Sequence, residues 1–146
     1  SVAALGLSTA QAAETVGTDL IVSALVIDVC AVVATPVVFG DVGLTDVNAN
    51  GTLVITCTNS GSFDVALDGG DADDISARVM SEVGGETLGY QLYTEDTLTT
   101  VWGDGTTGEV VTTTGPVATL TVYGETTTTP TVLGAYTDTV GVTVTY

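Results

Sequence analysis

The chain has 146 residues, with 18 Asp and Glu against a single Lys or Arg and no His, giving a formal charge of −17 at neutral pH. That length suits one domain of ordinary size. The near absence of bases, with Arg78 the sole cationic side chain, excludes phosphate-neutralising nucleic-acid binding and disfavours adsorption to anionic membranes, which needs basic clusters. Without His, the usual neutral-pH acid/base and the commonest imidazole ligand for metals are also missing.

Hydrophobic residues make up 45% of the chain, but they are spread in short runs, none near the roughly 20 apolar residues that span a bilayer. Abundant Thr, 18 Gly and only 5% aromatics favour strands and turns over helices. An all-β domain with its own core is the expectation.

In chain order, residues 1–7 are small and apolar, and Ala10-Gln11-Ala12 before Ala13 resembles the end of a secretory signal with an A-x-A site. Export is the consequence. From Thr18 to Cys30, Leu20, Val22, Ala24 and Val26 fall on one face of an extended segment and Ile21, Leu25 and Ile27 on the other. Apolar residues on both faces predict a strand buried on both sides. Cys30 and Cys57 end strand-like segments, and an even pair in an exported chain is more often a disulfide than a site. Closing that loop would stabilise the fold by roughly 3 to 4 kcal/mol in the chain-entropy model. Two free buried thiols are the alternative, and with no C-x-x-C and no His a metal or redox site is disfavoured.

Pro36 breaks the chain before a short strand over 37–40. Residues 52–58 and 63–67 alternate well enough for a hairpin around Asn59-Ser60-Gly61. The stretch from Asp68 to Asp74 has turn residues without apolar periodicity and is expected to be a surface loop. Its Asp68, Asp71, Asp73 and Asp74 offer the oxygens that Ca²⁺ favours, but their spacing is not that of an EF-hand loop, and a solvated acidic loop is the simpler reading. Further strands are expected over 78–81, 88–93, 100–102, 109–114, 118–123 and 136–146. Short strands at this spacing indicate a β-sandwich. The final segment alternates strictly in its second half, and an apolar strand at the other end of the chain raises the question of whether the sandwich's own sheet is complete.

Trp102-Gly103-Asp104-Gly105 could form a carbohydrate-stacking tip, with a turn whose Trp packs on the sandwich as the alternative. The five tyrosines are better placed as strand and corner residues than as a stacking platform. No Ser-His, Cys-His, Lys-based or phosphate-loop arrangement is present, and no carboxylate pair stands out for glycoside hydrolysis. The chain is therefore expected to be no enzyme and to need no cofactor, small-molecule substrate or nucleic-acid partner.

Phe39-Gly40, Gly51-Thr-Leu-Val-Ile-Thr-Cys57-Thr-Asn59, Leu88-Gly-Tyr-Gln-Leu-Tyr-Thr94, Val101-Trp-Gly-Asp-Gly105, Leu120-Thr-Val-Tyr-Gly124 and Gly134-Ala-Tyr-Thr-Asp-Thr-Val140, followed by Val142-Thr-Val-Thr-Tyr146, occur in this order. Over about residues 18–146 the chain thereby resembles the spore coat protein U domain family, which includes the pilins of archaic chaperone-usher fimbriae. The resemblance implies an incomplete immunoglobulin-like β-sandwich completed by a donor strand from the neighbouring subunit, a form of β-strand addition. It divides the chain into a leader and donor strand at 1–29 and a pilin domain at 30–146. The Cys30–Cys57 pair matches the family's disulfide. Leu20, Val22, Ala24 and Val26 would be the donor residues, and Val140, Val142 and Val144 would belong to the edge strand of the acceptor groove. The implied partners are identical subunits in a homopolymer, with a periplasmic chaperone and an outer-membrane usher during assembly. The implied destination, reached through the periplasm, is an extracellular fimbria for attachment or biofilm formation. The chain departs from the family's common pattern at Thr97-Leu98-Thr99 and Glu125, where basic residues are usual, and in a leader longer than a mature subunit needs. A self-complemented coat or surface-layer protein and a fimbrial tip adhesin are the alternatives.

Overall fold

A computed structural model describes residues 13–146; the leader from Ser1 and the signal-like Ala10-Gln11-Ala12 lie outside the described residues. Among the described residues eight strands are formed: β1 (Cys30–Thr35), β2 (Asn48–Cys57), β3 (Ser62–Leu67), β4 (Val79–Ser81), β5 (Thr87–Tyr93), β6 (Val111–Thr114), β7 (Val117–Thr126) and β8 (Val142–Thr145). No helix among the described residues is long and apolar enough to cross a membrane.

The strands make two antiparallel layers, one in the order β1-β2-β7-β5-β4 and the other in the order β6-β3-β8. Period-two alternation decides which side chains meet between them. In β2, Leu53, Ile55 and Cys57 point inward; in β3, Phe63, Val65 and Leu67; in β7, Ala118 and Val122, all buried. Tyr90 and Leu92 of β5 and Trp102 complete one continuous core. Cys30 pairs with Cys57 at the head of the β1–β2 ladder, and the two form a disulfide.

Several expectations are corrected. β2 and β3 do not form a hairpin: β2 pairs with β1 and β7, β3 with β6 and β8. The Asn59-Ser60-Gly61 turn instead carries the chain from one layer to the other. Apolar alternation assigns each strand an inner face but cannot say whether its sequence neighbour lies beside it or opposite it. Residues 37–40 form no strand, although β1 does stop before Pro36, which lacks the N–H a ladder needs. Residues 100–102 contribute isolated bridges only, from Val101 to Tyr93 and from Trp102 to Glu109. The terminal strand is shorter than 136–146, with one bridge at Thr137 before β8. The largest difference lies at 18–29, which forms no strand and joins neither layer, leaving Leu20, Ile21, Val22, Leu25 and Val26 at least 80% exposed.

Candidate functional site: an apolar groove and an exposed arm

The two layers do not close over one side of the core. There a groove of about 920 Å³ runs between the 36–44 segment and the 130–142 segment. Its floor is core: Leu53 of β2, Leu67 of β3, Leu88 and Leu92 of β5 and Val122 of β7.

One wall is held by glycines. A Cβ on Gly51 would stand 2.9 Å from a Val37 methyl, and a Cβ on Gly124 would stand 2.9 Å from Val37 and 3.1 Å from the Phe39 ring. The two glycines thus form the notch in which Val37 and Phe39 lie against β2 and β7, so that the segment after Pro36 packs over the sheet without pairing into it.

The opposite wall leads into β8, whose ladder partner is β3 and which is the outermost strand of its layer. Val140 and Val142 line the groove. Val144 is half-buried and packs on the core, but is not among the groove-lining residues. Leu20, Val22, Ala24 and Val26 are all exposed, and the structure does not bring them to their own chain's groove.

The arm is fixed where it leaves the body. Thr58 Oγ1 donates to the Ile27 carbonyl at 2.7 Å and accepts from the Val29 N–H at 2.9 Å, while the Thr58 N–H donates to the Val29 carbonyl at 2.9 Å. The Asn59 amide also donates to the Asp28 carboxylate. Beside the Cys30–Cys57 disulfide, these bonds tie 27–29 to the end of β2, and residues 13–26 are exposed and outside the sandwich.

One polar pair lies in the groove. The Tyr90 hydroxyl donates to the Asp138 carboxylate, and both residues line the cavity. Burial, then this bond to a carboxylate, raises the Tyr90 pKa above its ordinary value. Asp138 also accepts from the N–H groups of Asp71 and Thr139, each at 2.9 Å.

Behind this pair Arg78 is 1% exposed. Its Nε donates to the Asp68 carbonyl at 2.9 Å, Nη1 to Gln91 Oε1 at 2.6 Å, and Nη2 to the carbonyls of Asp68 and Trp102, each at 2.7 Å. Burial pulls its pKa below the ordinary arginine value. This role was not legible in the sequence, where no local pattern marks a lone Arg as buried.

Two carboxylates of the acidic loop, those of Asp68 and Asp74, accept hydrogen bonds from backbone N–H groups. Asp68 Oδ1 accepts from the N–H groups of Gly70 and Gly141 at 2.9 and 2.8 Å, and Asp74 caps the 3-10 turn Ile75–Ala77 through Ser76 and Ala77. The Ser76 hydroxyl is the main cause of a lowered Asp74 pKa. Among the described residues no three His, Cys, Asp or Glu side chains are grouped to hold a metal. Trp102 is 1% exposed, and its Nε1 donates to the Val65 carbonyl at 2.9 Å, so it is a core residue rather than a stacking tip.

A family model described as the Spore Coat Protein U domain matches residues 17–143. Comparison with curated proteins gave no match. Among solved structures, the chain is similar to one in the pre-assembly complex of the chaperone CsuC with the tip adhesion subunit CsuE, from archaic chaperone-usher Csu pili of Acinetobacter baumannii. The TM-score is 0.60 at 23% identity, and the match covers 83% of this chain and 40% of that one. The likeness identifies the fold as an all-β, immunoglobulin-like sandwich. With the family model matching from the exposed arm through the start of β8, this chain belongs to the Spore Coat Protein U domain family.

Proposed function

We propose that the protein is a structural subunit of a chaperone-usher fimbria, polymerising by donor-strand exchange into an extracellular filament. The observation that carries this reading is the pairing, within one chain, of an exposed apolar arm with an apolar groove that the arm does not enter. Residues 1–29 act as leader and donor, and residues 30–146 as the acceptor domain. In the filament, Leu20, Val22, Ala24 and Val26 of one subunit fill the groove of the next, beside the edge strand carrying Val140, Val142 and Val144. At about 3.3 Å per residue, residues 20–26 extend about 20 Å. Fully burying each Leu or Val contributes about 1.5 to 3 kcal/mol, besides the main-chain hydrogen bonds made along β8.

Because donor and groove lie on different parts of the chain, the contact is head-to-tail, and a head-to-tail contact whose rotation does not close generates an open filament. Before assembly the same groove requires a temporary occupant. The solved relative was captured with a chaperone, which supports a periplasmic chaperone in that role here, followed by transfer at an outer-membrane usher.

The test uses the full chain carrying Leu20→Asp and Val22→Asp, which disables the donor and leaves the groove. A synthetic peptide of residues 17–29 is expected to bind this variant and raise its melting temperature, while a peptide with the same two substitutions does neither. Equal behaviour of the two peptides contradicts the reading.

A further inference from the structure

A second surface stands out against the charge of the whole molecule. Leu53 and Ile55 point inward, so Thr52, Val54 and Thr56 face outward from the five-stranded layer. Register places Val33 and Thr119 on either side of Val54, and Thr35 and Thr121 on either side of Thr52. Val117, beside Thr56, extends the face by another row. Across these rows, from Ala31 to Thr35 on β1, Thr52 to Thr56 on β2 and Val117 to Thr121 on β7, no outward side chain is ionisable, in a protein with 18 carboxylates; Tyr123 and Glu125 bound the patch at the far end of β7. Val33 is 68% exposed and Val117 58%. The patch reaches the outermost strand of its layer, next to Ala34 and Thr35 at the lip of the groove.

The geometry points to this face as a homotypic contact, where a second copy of the chain docks sheet against sheet and joins filaments side by side. Charge selects the occupant. Two molecules at −17 repel wherever their carboxylates meet, and like charges brought together at an interface cost several kcal/mol. A flat face of valines and threonine methyls avoids that cost and, in the second copy, meets an identical uncharged face. A basic partner would gain little over these rows, whose carboxylate, Glu125, lies only at their edge. Screening of the remaining carboxylates should strengthen the contact as ionic strength rises.

The proposal rests on the filament reading, and the experiment separates the two. Fibres of the wild type, Val33→Glu, Val117→Glu and, as a control on the outward face of β6, Thr114→Glu are compared for detergent-resistant ladders and, by electron microscopy, for filament width across a salt series. The expected result is that wild type and Thr114→Glu bundle increasingly with salt. Val33→Glu and Val117→Glu should give the same ladders but single filaments, with bundling reduced about tenfold or more. Bundling of both patch variants equal to wild type, or single wild-type filaments at every salt concentration, overturns the proposal. If no variant gives a ladder, the filament reading fails instead. Sedimentation velocity on the soluble chain then reads the face directly: dimers lost in Val33→Glu support it, and unchanged association contradicts it.

Discussion

Arg78 Nη2 donates to the main-chain oxygen of Trp102 at 2.7 Å, joining the chain's sole basic residue to its sole tryptophan inside the sandwich. Trp102 in turn donates from its indole to the Val65 carbonyl on β3. Through this relay and its bonds to Asp68 and Gln91, the guanidinium fastens the end of β3 to β5 and to the 101–103 segment, and so holds the two layers together at one end of the groove.

Replacing Arg78 with Leu therefore strands the Asp68 and Trp102 carbonyls and Gln91 Oε1 without their donor. Each buried polar group left unsatisfied costs about 1 to 3 kcal/mol. A loss of about 3 kcal/mol or more in denaturant unfolding is expected. Arg78→Lys should recover little of it, because an ammonium cannot reproduce the planar fork.

The same residue makes trypsin a reporter of unfolding. The chain contains one Lys or Arg, and that side chain is 1% exposed. Trypsin is thus expected to leave the folded protein intact and to cut once, after Arg78, only in molecules that have opened. Cleavage in native buffer should track stability, so that Arg78-retaining variants with weakened cores are cut faster in proportion to their destabilisation. Rapid cutting of the wild type without loss of tertiary structure would count against the buried position of Arg78.

Stability should fall at both extremes of pH, for different reasons. The Tyr90 pKa is raised by burial and by its bond to Asp138, so its contribution is complete below the unfolded-state value near about 10 and is lost as the solution becomes more alkaline. Tyr90→Phe should soften the alkaline limb. Glu95 is held at about 2, first by the Thr94 hydroxyl and then by the N–H groups of Thr100 and Thr99 with the Thr99 hydroxyl. Its contribution is present above the ordinary carboxylate range and lost as pH falls toward 2, and Glu95→Gln should flatten that acid limb. Melting temperature against pH for the wild type and the two variants checks both signs.

The groove wall gives a prediction that separates assembly from folding. Gly124 lies where a Cβ would press on Val37 and Phe39, so Gly124→Ala should displace that wall, lowering both stability and polymer yield. Val142→Asp puts a charge into the groove on a half-buried edge strand. It is expected to abolish polymerisation while the soluble domain keeps its disulfide and β-sheet circular dichroism. Polymer from Val142→Asp at wild-type yield would contradict the role given to β8.

The all-β architecture was legible because β2, β3 and β7 alternate cleanly between buried and exposed positions, and Cys30 and Cys57 were identified as a pair from number and context. What failed were relations between strands. The 52–67 stretch reads as a hairpin by period and turn residues, yet its halves belong to opposite layers, a choice set by tertiary pairing. The apolar residues on both faces of 18–30 implied burial, and the structure exposes them, because the partner such a strand needs is not on its own chain under the proposed reading. Arg78, the Tyr90–Asp138 pair and the glycine notch beneath Val37 left no local pattern to find. Asp138 lies 48 residues beyond Tyr90, and nothing in either segment announces the other.

The central claim is that the arm at 20–26 fills a neighbouring subunit's groove, and the most direct measurement is an SDS gel of surface-sheared fibres, run with and without boiling. Strand exchange predicts a ladder, or material too large to enter the gel, that collapses to the monomer on boiling. A single monomer band in both lanes would contradict it and would move the account to a protein that keeps its arm for itself.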